Sequence, residues 1–454
     1  MNLDTFFNPK SVAIIGVSKN QNKVGHVIFR NLIDAKWKGQ LYPVNPNAEI
    51  VLNFSCFKSV LDIRPPVDLA VIAVPAEVSV KAIADCGKKG IRHVVLISSG
   101  FQEVGNIALQ NKLLAVLEKY KISVVGPNCL GVFDANTKLD TLFLPRYRLS
   151  RPNPGGISFV CQSGAVGSAI LDLATTEHYG FSKFISYGNA INLDESDYIE
   201  YLGKDPTTKV ICLYVEGVKH GQKFLQVCKQ VTKTKPIIAI KAGVSEAGAK
   251  ATLSHTGALA GAAEIYDGVF RQANIIRAFS LEEMFDFAKA LEKGILPKGK
   301  RVAIMTNGGG YGILSTDAVI KCGLQMASFA KETEKAITPT LLPIVKVHNP
   351  LDLAGDATTE RYRVAIEALL ADKNVDMILV IALYQTPLLT TDIVDILVEV
   401  NDLRKKPIAV VSTGGDFTEV LRKSLEENGV PCYTFPENAI AALAQAAHYY
   451  EKNH

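Results

Sequence analysis

SVAIIGVSKNQNKVGHVIFRNLIDA, residues 11–35, reads as an apolar strand, a turn opening on Gly16, and a helix with apolar residues at three- and four-residue spacing. An apolar run without alternation suits a strand covered on both faces, as in a parallel sheet. The plan continues through LYPVNPN (41–47), DLAVIAVPAE (68–77), a helix at 78–88, HVVLISSGF (93–101), a helix at 107–119 and ISVVGPNCLG (122–131). Strands alternating with helices predict an α/β, doubly wound parallel sheet that binds ligands beyond the strand C-termini. Gly16, Ser18, Lys23, Val24, Gly25, Pro43, Asn45, Val74, Pro75 and Asn128 all fall at such ends. The dinucleotide fingerprint G-x-G-x-x-G is absent, and YPVNPN puts prolines and asparagines where a ribose-binding acid would stand. A nucleotide-like ligand other than a nicotinamide fits better.

Two further stretches repeat the opening logic. ISFVCQSGAVGSAILDLATTE (157–177) and RVAIMTNGGGYGILSTDAVIKCG (301–323) each run strand, glycine turn, helix, and place Ser163 and Gly164, or Gly308, Gly309 and Gly310, at a helix entrance. NAINLDESD (189–197) is echoed by HNPLDLAGD (348–356), so the second and third regions read as related copies. Helix N-termini present free N–H groups and a favourable dipole to an anion, so two such entrances could hold one phosphate. The Pro- and Arg-rich stretch 144–156 reads as a linker, and KGILPKGK (293–300) as a second boundary. Three α/β domains of the Rossmann-like or flavodoxin-like kind are expected, at 1–143, 144–298 and 299–454.

Chemistry is expected at His255. It lies in SHTGA (254–258), after a Gly-, Ala- and Ser-bearing segment at 244–253 that reads as a mobile loop, and before a helical pattern through Ile265, Val269, Phe270 and Ala273. A lone histidine is ordinarily a hydrogen-bonded core or surface residue. Here flanking hydroxyls, Gly257 and the approaching helix start favour a nucleophilic imidazole that carries a phosphoryl group. Glu216 ends the apolar strand VICLYVEGV (210–218), where a carboxylate could bond one ring nitrogen and leave the other free.

Composition narrows the class. The 454 residues are 48% hydrophobic, with 49 Lys and Arg against 45 Asp and Glu spread along the chain, which argues against nucleic acid as a partner. Eight scattered cysteines without a C-x-x-C pair suit the reduced thiols of a cytoplasmic protein. No secretory signal, membrane span or metal constellation is apparent.

The ordered motifs GPNCLG (126–131), CQSGA (161–165), YVEG (214–217), SHTGA (254–258), TNGGGYG (306–312) and NPLDLAG (349–355) resemble those of the nucleoside-diphosphate-forming acyl-CoA synthetases, whose best-known relative is succinyl-CoA synthetase. The resemblance covers essentially the whole chain, and a third domain on the same chain is similar to the alpha subunit of the ADP-forming acetate–CoA ligases. It implies coenzyme A bound by the first domain and transient phosphorylation of His255, held by Glu216. It further implies phosphate at Ser163–Gly164 and at Gly308–Gly310, and an acyl group near Asn128. ADP or ATP, with Mg, would sit on a separate ATP-grasp beta subunit, in an alpha2-beta2 assembly. Cys161 stands where serine is common in the family's S-Q-S-G turn. The alternatives are a succinyl-CoA synthetase alpha subunit and a non-catalytic CoA-binding regulatory protein.

Overall fold

The computed structural model describes residues 3–245, 247–248, 263–342 and 345–454. His255 therefore lies outside the described residues. The chain forms two compact units, Met1–Arg277 and Ala278–His454.

Besides a two-stranded hairpin, Ile50–Val51 with Phe54–Ser55, the described residues of the first unit form two large sheets. In one, the strands run Gln40–Val44, Ser11–Ile15, Leu69–Ile72, His93–Leu96 and Ser123–Val125, all parallel. Numbered along the chain this is the order 2-1-3-4-5, so the connections diverge beside Ser11–Ile15, where a crevice opens. Every residue of Ser11–Ile15 and Leu69–Ile72 is buried, as the unbroken apolar runs predict. The crossover helices are Val24–Asp34, Ala76–Lys89 and Ile107–Tyr120.

The second sheet repeats the order with Pro154–Cys161 as its first strand, flanked by Phe181–Ser186 and Val210–Val215, then Ile237–Lys241 and Ile276–Arg277. A hairpin, Gly131–Asp134 and Leu139–Asp140, adds antiparallel to Phe181–Ser186. These residues precede the expected boundary at 143/144, yet they extend the later sheet. A buried ammonium helps seat them: Lys183 Nζ lies 3.3 Å from Asp134 Oδ2 and 2.9 Å from Asp205 Oδ2. The stretch read as a linker is likewise tied down. Asp140 accepts from Arg151 Nε at 2.9 Å and Arg146 Nη1 at 2.8 Å, so these arginines are anchors, Arg151 itself being buried.

In the second unit the parallel order is Gln325–Met326, Arg301–Thr306, Met377–Ile381, Ile408–Val411 and Cys432–Tyr433, with Leu351–Asp352 pairing the end of Arg301–Thr306. Setting that short added strand aside, all three sheets share one order. NAINLDESD and HNPLDLAGD occupy equivalent places, each between a sheet's second strand and the helix leading to its third. The helix Leu281–Lys293 joins this unit and packs on Pro436–Asn453. It is held by Lys289 Nζ, which donates to Glu426 Oε1 and to Cys432 O, both at 2.6 Å, within the core. Among the described residues, no helix is long and apolar enough to cross a membrane.

Candidate active site

Where the first sheet's connections diverge, Gly16 adopts φ +98°, and a Cβ there would lie 2.4 Å from Ala73 O. Only glycine lets the turn pass so close over the neighbouring strand. Helix Val24–Asp34 meets the same turn: a Cβ on Gly25 would come 2.1 Å from Gly16 O. Gly16 and Gly25 thus supply a tight turn and a close helix approach, at a longer spacing than in the dinucleotide fingerprint. Lys23 caps the helix with its backbone alone: its carbonyl accepts His26 N–H at 2.9 Å, and its side chain makes no capping bond to the first turn. Asn45 Nδ2 donates to Val17 O at 2.5 Å and fixes the loop.

The second sheet faces this crevice with its own helix entrance. Ser163 caps Gly164–Thr176, its Oγ accepting Val166 N–H at 3.4 Å. Glu216 follows the strand Val210–Val215 and is 6% exposed. Asn128, at φ +56°, donates from Nδ2 to Asn189 Oδ1 at 3.3 Å, and its backbone N–H bonds Ser98 O at 2.9 Å.

These groups line one cavity of about 820 Å³, within the range of small-molecule sites. Gly16, Ser18, Lys23, Val24, Gly25, Asn45, Val74 and Pro75 contribute from the first sheet; Asn128, Ser163, Gly164 and Glu216 complete it. Pro43 is not among the lining residues; it lies within Gln40–Val44, where its carbonyl accepts Phe57 N–H at 2.9 Å. Gly308, Gly309 and Gly310 belong to the second unit, where Gly308 caps the helix Gly309–Lys321 and the space beside Gly310 is open.

Among the lining residues that escaped the sequence reading are Gln162, Lys219, Glu103 and Asn189. Lys219 Nζ donates to Asn189 O at 2.8 Å and Ala190 O at 3.0 Å. Burial lowers its pKa, against the pull of Glu195 and Asp194. Glu103 would be raised by burial, but N–H donors from Gly100, Asn189 and Phe101 outweigh this and hold it low. The cavity is thus lined by an anchored cation and an anchored anion. Cys129 also lines it, but burial pushes that thiol up to about 12, so it stays protonated and a poor nucleophile. Proximity to the recognised motifs could have flagged Gln162 and Lys219; the Glu103–Asn189 pair joins positions 86 apart and left no local signal.

Comparison with known proteins matches this layout. Family models fit in tandem: a CoA binding domain over residues 10–135, a succinyl-CoA ligase-like flavodoxin domain over 154–291 and a ligase-CoA domain over 302–453. The three sheets and these three models place the chain among the NDP-forming acyl-CoA synthetases. The alpha subunit of Pyrococcus furiosus ADP-forming acetate–CoA ligase II is 39% identical, covering 99% of this chain and 98% of that one. The Methanocaldococcus jannaschii ADP-forming acetate–CoA ligase is 41% identical over 97% of this chain, which spans only 62% of that longer protein. In structure, the dinucleotide-forming acetyl-coenzyme A synthetase 1 of Ca. Korarchaeum cryptofilum, in complex with phosphate and ADP, superposes with a TM-score of 0.94 at 35% identity, covering 99% of this chain and 98% of that one. The chain belongs to the family of ADP-forming acetate–CoA ligases.

Proposed function

We propose that the chain is the alpha subunit of an ADP-forming acyl-CoA synthetase acting on acetyl-CoA, a cytoplasmic enzyme completed by an ATP-grasp beta subunit in an alpha2-beta2 assembly. The observation that carries this reading is the single cavity, which sets the glycine turn of the first sheet opposite the Ser163–Gly164 helix entrance and Glu216 of the second. A thioester held on one side can there meet a phosphate held on the other.

Coenzyme A would lie along Gly16, Ser18, Lys23, Val24, Gly25, Asn45, Val74 and Pro75, with its pyrophosphate at the uncapped helix start. Inorganic phosphate at Ser163–Gly164 attacks the thioester carbonyl near Asn128. The C–S bond breaks, the CoA sulfur leaves and takes a proton, and an acyl phosphate forms. His255, oriented by Glu216, then attacks phosphorus and the carboxylate departs. The phosphohistidine passes the group to ADP on the partner, which also supplies Mg. Positioning and charge stabilisation do most of the work in such transfers. Gly308–Gly310 offers a second helix entrance to the phosphoryl group.

The test is phosphate- and ADP-dependent release of CoA from acetyl-CoA in the presence of the beta partner. Wild type should turn over, and His255→Ala should lose activity by roughly 10⁴-fold or more while still binding CoA, the scale of removing a covalent nucleophile. Equal activity in both removes His255 from the reaction. A wild type that binds CoA and never acquires an acid-labile phosphate would instead be a regulatory CoA-binding protein.

A further inference from the structure

Gln162 stands between the strand Pro154–Cys161 and the Ser163 cap. Its Oε1 accepts Glu216 N–H at 2.8 Å and Gly217 N–H at 3.2 Å, and the hydroxyl of fully buried Tyr187 donates to it at 3.5 Å. Two N–H donors can meet only the oxygen of an amide, so these partners settle its orientation. The Gln162 backbone N–H donates in turn to Tyr214 O at 3.1 Å. One residue therefore ties the turn carrying Glu216 to the helix entrance by both its main chain and its side chain.

The second unit contains the same device. Asn307 follows Arg301–Thr306 and precedes the Gly308 cap, and its Oδ1 accepts Leu383 N–H at 3.0 Å, just beyond the strand Met377–Ile381. In both sheets an amide after the first strand grips the segment after the third. What differs is the cargo, because only in the first unit does the gripped segment carry a carboxylate facing the cavity.

We propose that Gln162 is a positioning residue for Glu216, fixing the carboxylate's backbone relative to the Ser163–Gly164 entrance. The inference rests on the reading of His255 and Glu216 given above. Without the amide oxygen, the Glu216 and Gly217 N–H groups lose the side-chain acceptor that ties their turn to the end of Pro154–Cys161. A displacement of about 1 Å at a reacting group costs on the order of 100-fold in rate.

The experiment is Gln162→Met, which keeps the side-chain length and removes the acceptor, assayed with the beta partner for phosphorylation of His255 by ATP and for the KM of CoA in the full reaction. Phosphorylation should slow roughly 10- to 100-fold with the KM for CoA unchanged within about twofold. Tyr187→Phe, which deletes one hydroxyl, guards against a misfolded methionine variant; it should slow phosphorylation about two- to fivefold, again without moving that KM. Wild-type phosphorylation in both variants overturns the proposal, and so does a joint loss of CoA affinity and phosphorylation, the mark of a merely structural role. Should wild type itself take up no phosphate, the functional reading fails and the proposal falls with it, so the two failures are told apart.

Discussion

Glu195 opens the helix Glu195–Lys204 with a carboxyl that is 1% exposed and whose Oε1 has no hydrogen-bond partner among the described residues. Burial raises its pKa to about 7; neighbouring Asp194 adds to the rise, and Lys219 and Lys223 oppose it. The folded state thus holds this proton more tightly than the unfolded chain, so stability is lost as pH climbs from the ordinary carboxyl range towards 7. Glu195→Gln should be more stable than wild type at pH 8, on the order of 2–3 kcal/mol, and nearly equal to it at pH 4.5. Paired thermal melts at those pH values would show it; a constant difference at both would refute the buried acid. The residue scale is also where the sequence was most legible. Gly16, Asn128, Ser163 and Glu216 could be picked out because each ends an apolar strand or opens a helix, and such ends converge in a doubly wound sheet. Gln162 sat inside a recognised motif, but its purpose depends on the register of Pro154–Cys161 against Val210–Val215, which local pattern does not encode.

Among elements, the helix Val24–Asp34 is seated by an absence of side chain. Gly25→Ala would drive a methyl against Gly16 O, and the helix must withdraw from the cavity edge. Overpacking of this kind costs about 1–3 kcal/mol, enough to weaken CoA binding roughly ten- to a hundredfold. Calorimetric titration with CoA measures it, and an unchanged affinity would detach that helix from the ligand. The hairpin Gly131–Asp134 and Leu139–Asp140 is secured differently. Lys183→Met strands two buried carboxylates, Asp134 and Asp205, and should destabilise the chain by about 3–5 kcal/mol in urea unfolding. A change below about 1 kcal/mol would mean the pair contributes little. The strand–glycine–helix units were readable because parallel strands are apolar throughout. The hairpin was not, since its partner Phe181–Ser186 lies some forty residues on and nothing in GVFD announces it.

At the scale of the molecule, one strand order serves three sheets, and the boundary near residue 300 drawn from KGILPKGK does not coincide with the division between the compact units. Prolines and glycines announce a turn, but they do not say which side the preceding helix joins. The helix Leu281–Lys293 carries Lys289 into a buried pair with Glu426, and the Tyr433 hydroxyl donates to Asp286 O at 3.2 Å. A fragment of residues 278–454 should melt cooperatively on its own, whereas one starting at residue 299 leaves Glu426 unpaired and should aggregate or melt at least about 10 °C lower. Calorimetry of the two fragments decides the matter; equal melting would place the helix outside the unit's core.

The hairpin also sets an order on the ribosome. All five strands of the first sheet have emerged once Val125 is clear, so that sheet can close early. Val132 and Phe133, paired until then only with Leu139–Asp140, must wait for their second strand partner until Phe181–Ser186 has been synthesised. During those forty-odd residues the hairpin presents an unpaired strand edge, and a pause in translation there would expose it to chaperones or to its neighbours.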